Sequence, residues 1–369
     1  MNTSPRPPTP INFPFYPTEF QQVILEKSQN FVGRAFVFTA IFNFLQRHDR
    51  GYFTIIGAPG SGKSSILAKY LTENPHVLYY NAQLPDKNRA EEFIATICTQ
   101  IDPTSQETSL PSLLQQVSNK LEPQQKFIIA IDALDAVNRT DQTPGSNLFY
   151  LPRYLPRGVY FLVTRRPYVR KQSGLLIEAP SQIFDLAEYP QQNHEDIEAY
   201  IRQYVNNDEE FTVQLIAKSE NNFMYTSAYF DCAQYKKLSD HLSQILPAIS
   251  KEVDPFTPDL EAYYQQHFHK MIPPNSPSQE REFKSSVLNV LMQVSSVVSA
   301  KSIASRIDAD EYDVEEVLEN WREFLTLQDG TCFKSGNPPN AAPQIDGEIR
   351  YSLYHSSFQD FLSKQANFG

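Results

Sequence analysis

Between Gly51 and Ser65 the chain reads GYFTIIGAPGSGKSS. The first six residues are the aromatic and β-branched kind that pack in a buried strand. The next eight, Gly57–Ser64, fit G-x-x-x-x-G-K-[S/T]. That spacing constrains the fold more than any other stretch. Backbone N–H groups close around phosphate oxygens only when a strand delivers the loop and a helix N-terminus completes it. Gly57, Pro59, Gly60, Ser61 and Gly62 are the expected cradle. Lys63 would reach the β- and γ-phosphates, Ser64 would ligate Mg²⁺, and Ser65 stands beside it. The competing reading is a chance glycine-rich turn. It leaves the strand before the loop and the helical residues after it, 62–71, without a reason.

Further strands are predicted over 76–82, 126–132, 158–164 and 181–187, with a helix over 90–101. Apolar strands alternating with helices imply a parallel sheet covered on both faces, an α/β architecture. The third strand ends in Asp132, within FIIAIDALDA. A carboxylate there can hold Mg²⁺ through its water shell. In isolation it would only form a turn. Asp135 either orients an attacking water or caps a helix. The fourth strand runs into TRRP, which brings Thr164 and Arg165 to the same edge as Asp132. Arg165 is the candidate for sensing a terminal phosphate, with Arg166 a lesser one. Both could instead be solvated.

Residues 1–30 open with MNTSPRPPTPINFPFYP, which reads as an extended, proline-rich lead-in with neither the basic nor the apolar region of a secretory leader. Val37, Ile41, Phe42, Phe44 and Leu45 then recur at roughly helical spacing. After a nucleotide-binding domain over 31–190, helical patterning fills 191–270, starting from a cap at Asn193. A linker at 271–280 precedes a third domain, 281–369. It reads as helix, helix, tight turn, helix, then two strands around a proline-rich wing starting near Thr331, with Trp321, Phe324 and Leu325 as its core.

Hydrophobic residues make up 41% and charged residues 20%, as in folded proteins. No apolar run approaches the ~18 residues of a membrane span. Cys98, Cys232 and Cys332 are widely separated, which suits a reducing cytoplasm and no structural zinc. A net charge of −11 argues against a broad nucleic-acid footprint. The third domain repeats the point, with 8 Lys/Arg against 14 Asp/Glu from Glu280 onward. Its candidate recognition helix, DEYDVEEVLENWREFL, would repel phosphate, so DNA is not an expected partner.

Read in order, these motifs resemble the STAND class of P-loop NTPases, most closely its NACHT-type branch, over roughly residues 31–365. FVGR (31–34) resembles the segment that packs on adenine, which implies contacts from Phe31, Val32 and Arg34. GAPGSGKSS and FIIAIDALD resemble the two Walker motifs, and FLVTRR the strand with its sensor arginine. ENNFMYTSAYF (220–230) resembles a helix of the family's helical subdomain. LPAISKEVDPFTPDLEAYYQQHF resembles a degraded version of a further segment. YHSSFQDFL resembles the histidine segment that closes the winged helix.

The resemblance implies a parallel P-loop NTPase sheet of the ASCE/AAA+-like kind, followed by a helical subdomain and a winged-helix domain. It implies ATP or ADP with Mg²⁺ as ligands. The implied activity is a switch: closed with ADP, where His355 contacts the β-phosphate, and open and self-assembling with ATP. Effector and repeat-built sensor domains would lie outside this chain. His355 could instead be a core histidine with satisfied hydrogen bonds. Two departures matter. Ala136 stands where the family often has a catalytic glutamate, which implies slow hydrolysis with Lys63, Asp132, Asp135 and Arg165 as the catalytic set. Glu220 and Asn221 stand where a glycine usually precedes Asn-Phe. A working AAA+-like ATPase and a nucleotide-stabilised scaffold are the competing functions.

Overall fold

The computed structural model describes residues 16–102, 109–168, 173–205, 208–227, 230, 258–294, 297–329 and 348–366. The chain divides into two units. One comprises Met1–Gly57, Gly62–Arg166 and Lys171–Tyr200, the other Ala58–Ser61, Pro167–Arg170 and Ile201–Gly369.

In the first unit, β1 (Gly51–Ile56), β2 (Leu78–Asn81), β3 (Phe127–Asp132), β4 (Val159–Arg165) and β5 (Ser181–Asp185) form one parallel sheet, ordered β2-β3-β4-β1-β5. Every residue of β1, β2 and β4 is buried, the consequence of helices covering both faces. The strand order puts β4 between β1, which delivers the phosphate loop, and β3, which ends in Asp132. Open α/β sheets bind ligands outside the carboxyl ends of their strands. Gly57, Asp132 and Arg165 stand at that edge. The fold is the P-loop, AAA+-like α/β class expected from the sequence.

The helices of this unit are α1 (Thr18–Ser28), α2 (Ala35–Arg47), α3 (Lys63–Glu73), α4 (Ala90–Ile101), α5 (Leu110–Lys120) and α6 (Pro190–Arg202), the last ending just past its boundary. Three sequence expectations change. The lead-in is not extended throughout: α1 occupies Thr18–Ser28 and buries Phe20 and Ile24 completely. Residues 1–15 lie outside the described residues. On α2, Val37, Ile41, Phe44 and Leu45 are buried, but Phe42 is 61% exposed, because a residue adjacent to Ile41 turns about 100° away around the helix. Asn193 does not cap α6, which begins at Pro190, a residue suited to a first turn whose N–H would go unpaired. Periodicity does not mark α5, whose apolar face is three leucines (Leu110, Leu113, Leu114) among polar residues.

In the second unit, α7 (Glu209–Ser219) is capped by the Asp208 carboxylate, which accepts from Phe211 N at 2.9 Å. The chain is helical again over 223–227. Then follow α8 (Pro258–Met271), α9 (Ser278–Gln293), β6 (Val298–Ser299), α10 (Ala300–Ile307), α11 (Glu311–Asn320), β7 (Leu325–Asp329), β8 (Ile349–Leu353) and α12 (Ser356–Ala366). The strands form an antiparallel sheet ordered β6-β8-β7. Trp321, Phe324 and Leu325 are core, and the Trp321 indole donates to Met271 O at 2.9 Å. Leu325 opens a strand rather than closing a helix, so the first wing strand precedes Thr331. The expected wing itself falls at 330–347, outside the described residues. Among the described residues no helix is long and apolar enough to cross a membrane.

Candidate functional site

The phosphate loop takes its shape from positive backbone angles that L-residues avoid. Gly60 has φ +78° and Gly62 φ +87°, and Gly62 is the N-cap of α3. The Lys63 ammonium folds back to donate to Gly57 O at 2.6 Å. Ser64, one residue into α3, lies beside the Asp132 carboxylate and helps to hold its pKa down. Within the second unit, Asn222 Nδ2 donates to Pro59 O at 3.1 Å and Phe223 N to Gly60 O at 3.0 Å. A Cβ at Gly60 would overlap the Asn222 side chain.

Asp132 is 1% exposed. Thr164 Oγ1 donates to it and accepts from Ala133 N at 2.9 Å. The Tyr79 hydroxyl and Asn81 Nδ2 lie 3.4 Å from its other oxygen. Burial raises the pKa of this carboxyl above 3.8, against hydrogen bonds from Thr164 and Ser64 and the charge of Lys63. A buried carboxylate of this kind gains from a cation. The donor set suits Mg²⁺: one hydroxyl and one carboxylate, with water and phosphate oxygens completing six. Among the described residues no cluster of three or more His, Cys, Asp or Glu could hold a metal, and a magnesium site of this type does not need one. Sequence reasoning missed Tyr79 and Asn81. The available signal was register, since a β2 paired with β3 sets Asn81 opposite Asp132.

Asp135 lies in the 3-10 turn Leu134–Ala136 and does not cap a helix. Its Oδ1 accepts from Arg166 N at 2.9 Å, and Oδ2 sits 3.5 Å from Arg166 Nε. Neither arginine of TRRP is solvated. Arg165 is 2% exposed, with Nη1 donating to Ser173 O at 2.8 Å, and Arg166 is 9% exposed.

Arg34 caps the start of α2 in a left-handed conformation, φ +63°. Its guanidinium is buried, donates to Asn193 Oδ1 and lies 3.8 Å from Asp196 Oδ2, which also accepts from Arg34 N at 2.9 Å. Burial lowers its pKa to about 10 against the opposing pull of Asp196. The structure therefore fastens Arg34 to α6, where the resemblance had placed it among the adenine contacts. Phe31 rests on Phe38, with ring centroids 5.9 Å apart, and Val32 is half-buried.

His355 follows β8 and is 1% exposed. Its Nε2 lies 2.9 Å from Ser219 O, and its Nδ1 lies 3.1 Å from Ser357 N and 2.6 Å from Ser357 Oγ. A carbonyl can only accept and a backbone N–H can only donate, so Nε2 carries the proton and Nδ1 the lone pair. Burial lowers the pKa below 6.5, while Glu220, the Ser219 bond and Asp360 pull the other way. A phosphate contact by this ring would have to replace one of these bonds.

The sheet, its glycine loop and the Ser64–Asp132 pair define a P-loop NTPase domain of the AAA+-like class. In agreement, residues 46–157 match the family described as the AAA domain. No curated protein matches the sequence. Several solved structures are similar at low identity. A chain of the Drosophila ORC bound to DNA is 12% identical, with 98% of this chain and 95% of that one covered and a TM-score of 0.41. A signal transduction ATPase with numerous domains carrying a tetratricopeptide repeat sensor, from Pyrococcus horikoshii, is 15% identical; 91% of this chain covers 43% of it, with a TM-score of 0.36. A RuvB mutant from Thermotoga maritima is 12% identical, with 80% and 89% covered and a TM-score of 0.35.

Proposed function

We propose that this chain is an ATP/ADP-dependent signalling switch of the STAND/NACHT type, closed with ADP and self-assembling after exchange for ATP. One set of contacts carries the reading. The buried His355 imidazole holds the Ser219 carbonyl, which also accepts from Asn222 N at 2.7 Å, and Asn222 and Phe223 in turn donate to Pro59 O and Gly60 O. This path, all of it within the second unit, ties the C-terminal histidine to the tip of the phosphate loop. His355 then acts on nucleotide through the Ser219–Asn222 turn. In this reading the nucleotide-binding domain covers 31–190, the helical subdomain 191–270 and a winged helix 281–369. The four helices and the antiparallel sheet described in the last support that assignment.

Lys63 and the loop amides bind phosphate, Ser64 and Asp132 hold Mg²⁺, and Phe31 and Val32 face the base. Mg²⁺ would supply charge neutralisation between phosphate oxygens. Slow hydrolysis fits Ala136 and the engagement of Asp135 by Arg166. The acidic α11 opposes DNA as a partner. We place the protein in the cytoplasm, with effector and sensor domains elsewhere.

The test is to identify the copurifying nucleotide and compare His355→Ala with wild type. The expected result is retained ADP in the wild type, and weaker ADP binding or ATP-dependent assembly in the variant. A variant with wild-type ADP affinity that stays monomeric with ATP would remove the switch. The AAA domain match is equally compatible with a working ATPase. Turnover above ~1 s⁻¹, the low end of ordinary enzymes, would favour that reading.

A further inference from the structure

The strand-end arginines divide by partner. Successive side chains of a strand point to opposite sides of the sheet. Thr164 directs its hydroxyl to Asp132. Arg165 departs to the other side, where its guanidinium donates to Ser173 O at 2.8 Å in the loop after β4. Arg166 is the first residue past the strand. Its backbone N–H and its Nε both meet Asp135, at 2.9 and 3.5 Å. Asp135 lies in the turn that leaves β3 directly after Asp132, where Ala133 N donates to Thr164 Oγ1 at 2.9 Å, and its charge, like that of Lys63, acts on the Asp132 carboxyl. Arg166 therefore belongs to the cluster that carries the loop lysine and the metal-holding carboxylate. Arg165 belongs to the packing of the loop behind it.

Motif order alone puts the first arginine after the threonine in the sensing role. We propose instead that Arg166, positioned by Asp135, is the side chain through which this chain tells a nucleoside triphosphate from a diphosphate. The proposal rests on the nucleotide-binding reading above. A planar guanidinium suits the task, since it matches the geometry of phosphate oxygens and stays charged at every working pH. Asp135 is its positioning residue: the carboxylate fixes the fork before any phosphate arrives, which lowers the ordering cost on binding.

The experiment measures dissociation constants for Mg-ADP and for a Mg-bound, non-hydrolysable ATP analogue, on the whole chain. A charge-assisted hydrogen bond is worth roughly 10- to 100-fold in affinity. Arg166→Gln is expected to weaken the triphosphate analogue by about that factor and to change ADP by less than about threefold. Asp135→Asn should move the same ratio in the same direction by less. Arg165→Gln should lower the thermal midpoint and leave the ratio as in wild type. If Arg166→Gln does not fold, Arg166→Met, which keeps the aliphatic stem, takes its place. A wild-type ratio in the Arg166 variant, or a ratio that collapses with Arg165→Gln alone, overturns the assignment. Wild-type protein that binds neither nucleotide overturns the nucleotide reading itself, and the assignment with it.

Discussion

Gly33 has φ +69°, and a methyl on it would overlap the Asp196 carboxylate that accepts from Arg34 N. Gly33→Ala therefore pays for a left-handed conformation, about 1–2 kcal/mol, and displaces the carboxylate besides. The expected outcome is a lower denaturation midpoint, with Asp196→Ala partly relieving the second penalty in a double-mutant cycle. FVGR is thus a structural hinge-pin for α6 as well as a candidate base contact, a role visible only once residues 162 positions apart are paired. Lys63 illustrates the opposite case. The role proposed for it follows from spacing alone, and Lys63→Ala should abolish the thermal stabilisation expected of Mg-ATP in the wild type, read by melting with and without nucleotide.

The elements that periodicity disclosed were those with a full apolar face. β1, β3 and β4 are nearly continuous apolar runs, and α4 occupies the predicted 90–101. Those missed carry few apolar residues, as in α5, or sit where proline suggests an extended chain, as in α1. α1 is nonetheless part of the first core: Phe20 packs edge-on against Tyr79 and Tyr80, with centroids 5.6 and 5.4 Å apart. Tyr79 is the residue whose hydroxyl lies beside Asp132. Phe20→Ala should cost about 3–5 kcal/mol, the usual range for a buried phenylalanine, measured by denaturant titration. A loss under about 1 kcal/mol would mean that α1 is dispensable to the sheet.

At the scale of the whole chain, His355 sets a pH dependence whose sign can be worked out. Its pKa is lowered on folding, so below 6.5 the unfolded chain binds the proton better than the folded one. The contribution is intact above 6.5 and is lost as pH falls from there toward the depressed value. Asp132 and Asp196, both raised by burial, act in the opposite sense above 3.8. The slope belonging to His355 is therefore the difference between wild type and His355→Gln, measured by unfolding between about pH 7.5 and 5.5. The variant should show the shallower acid loss. By itself the sequence determined the α/β class, the phosphate loop and the candidate carboxylate beside it, because a glycine spacing and a continuous apolar run are local properties. Tertiary structure decided the rest: that Arg34 binds α6, that Asp135 holds Arg166, and that His355 holds Ser219. Each is a pairing of polar groups distant in sequence, and no periodicity records which buried donor meets which acceptor.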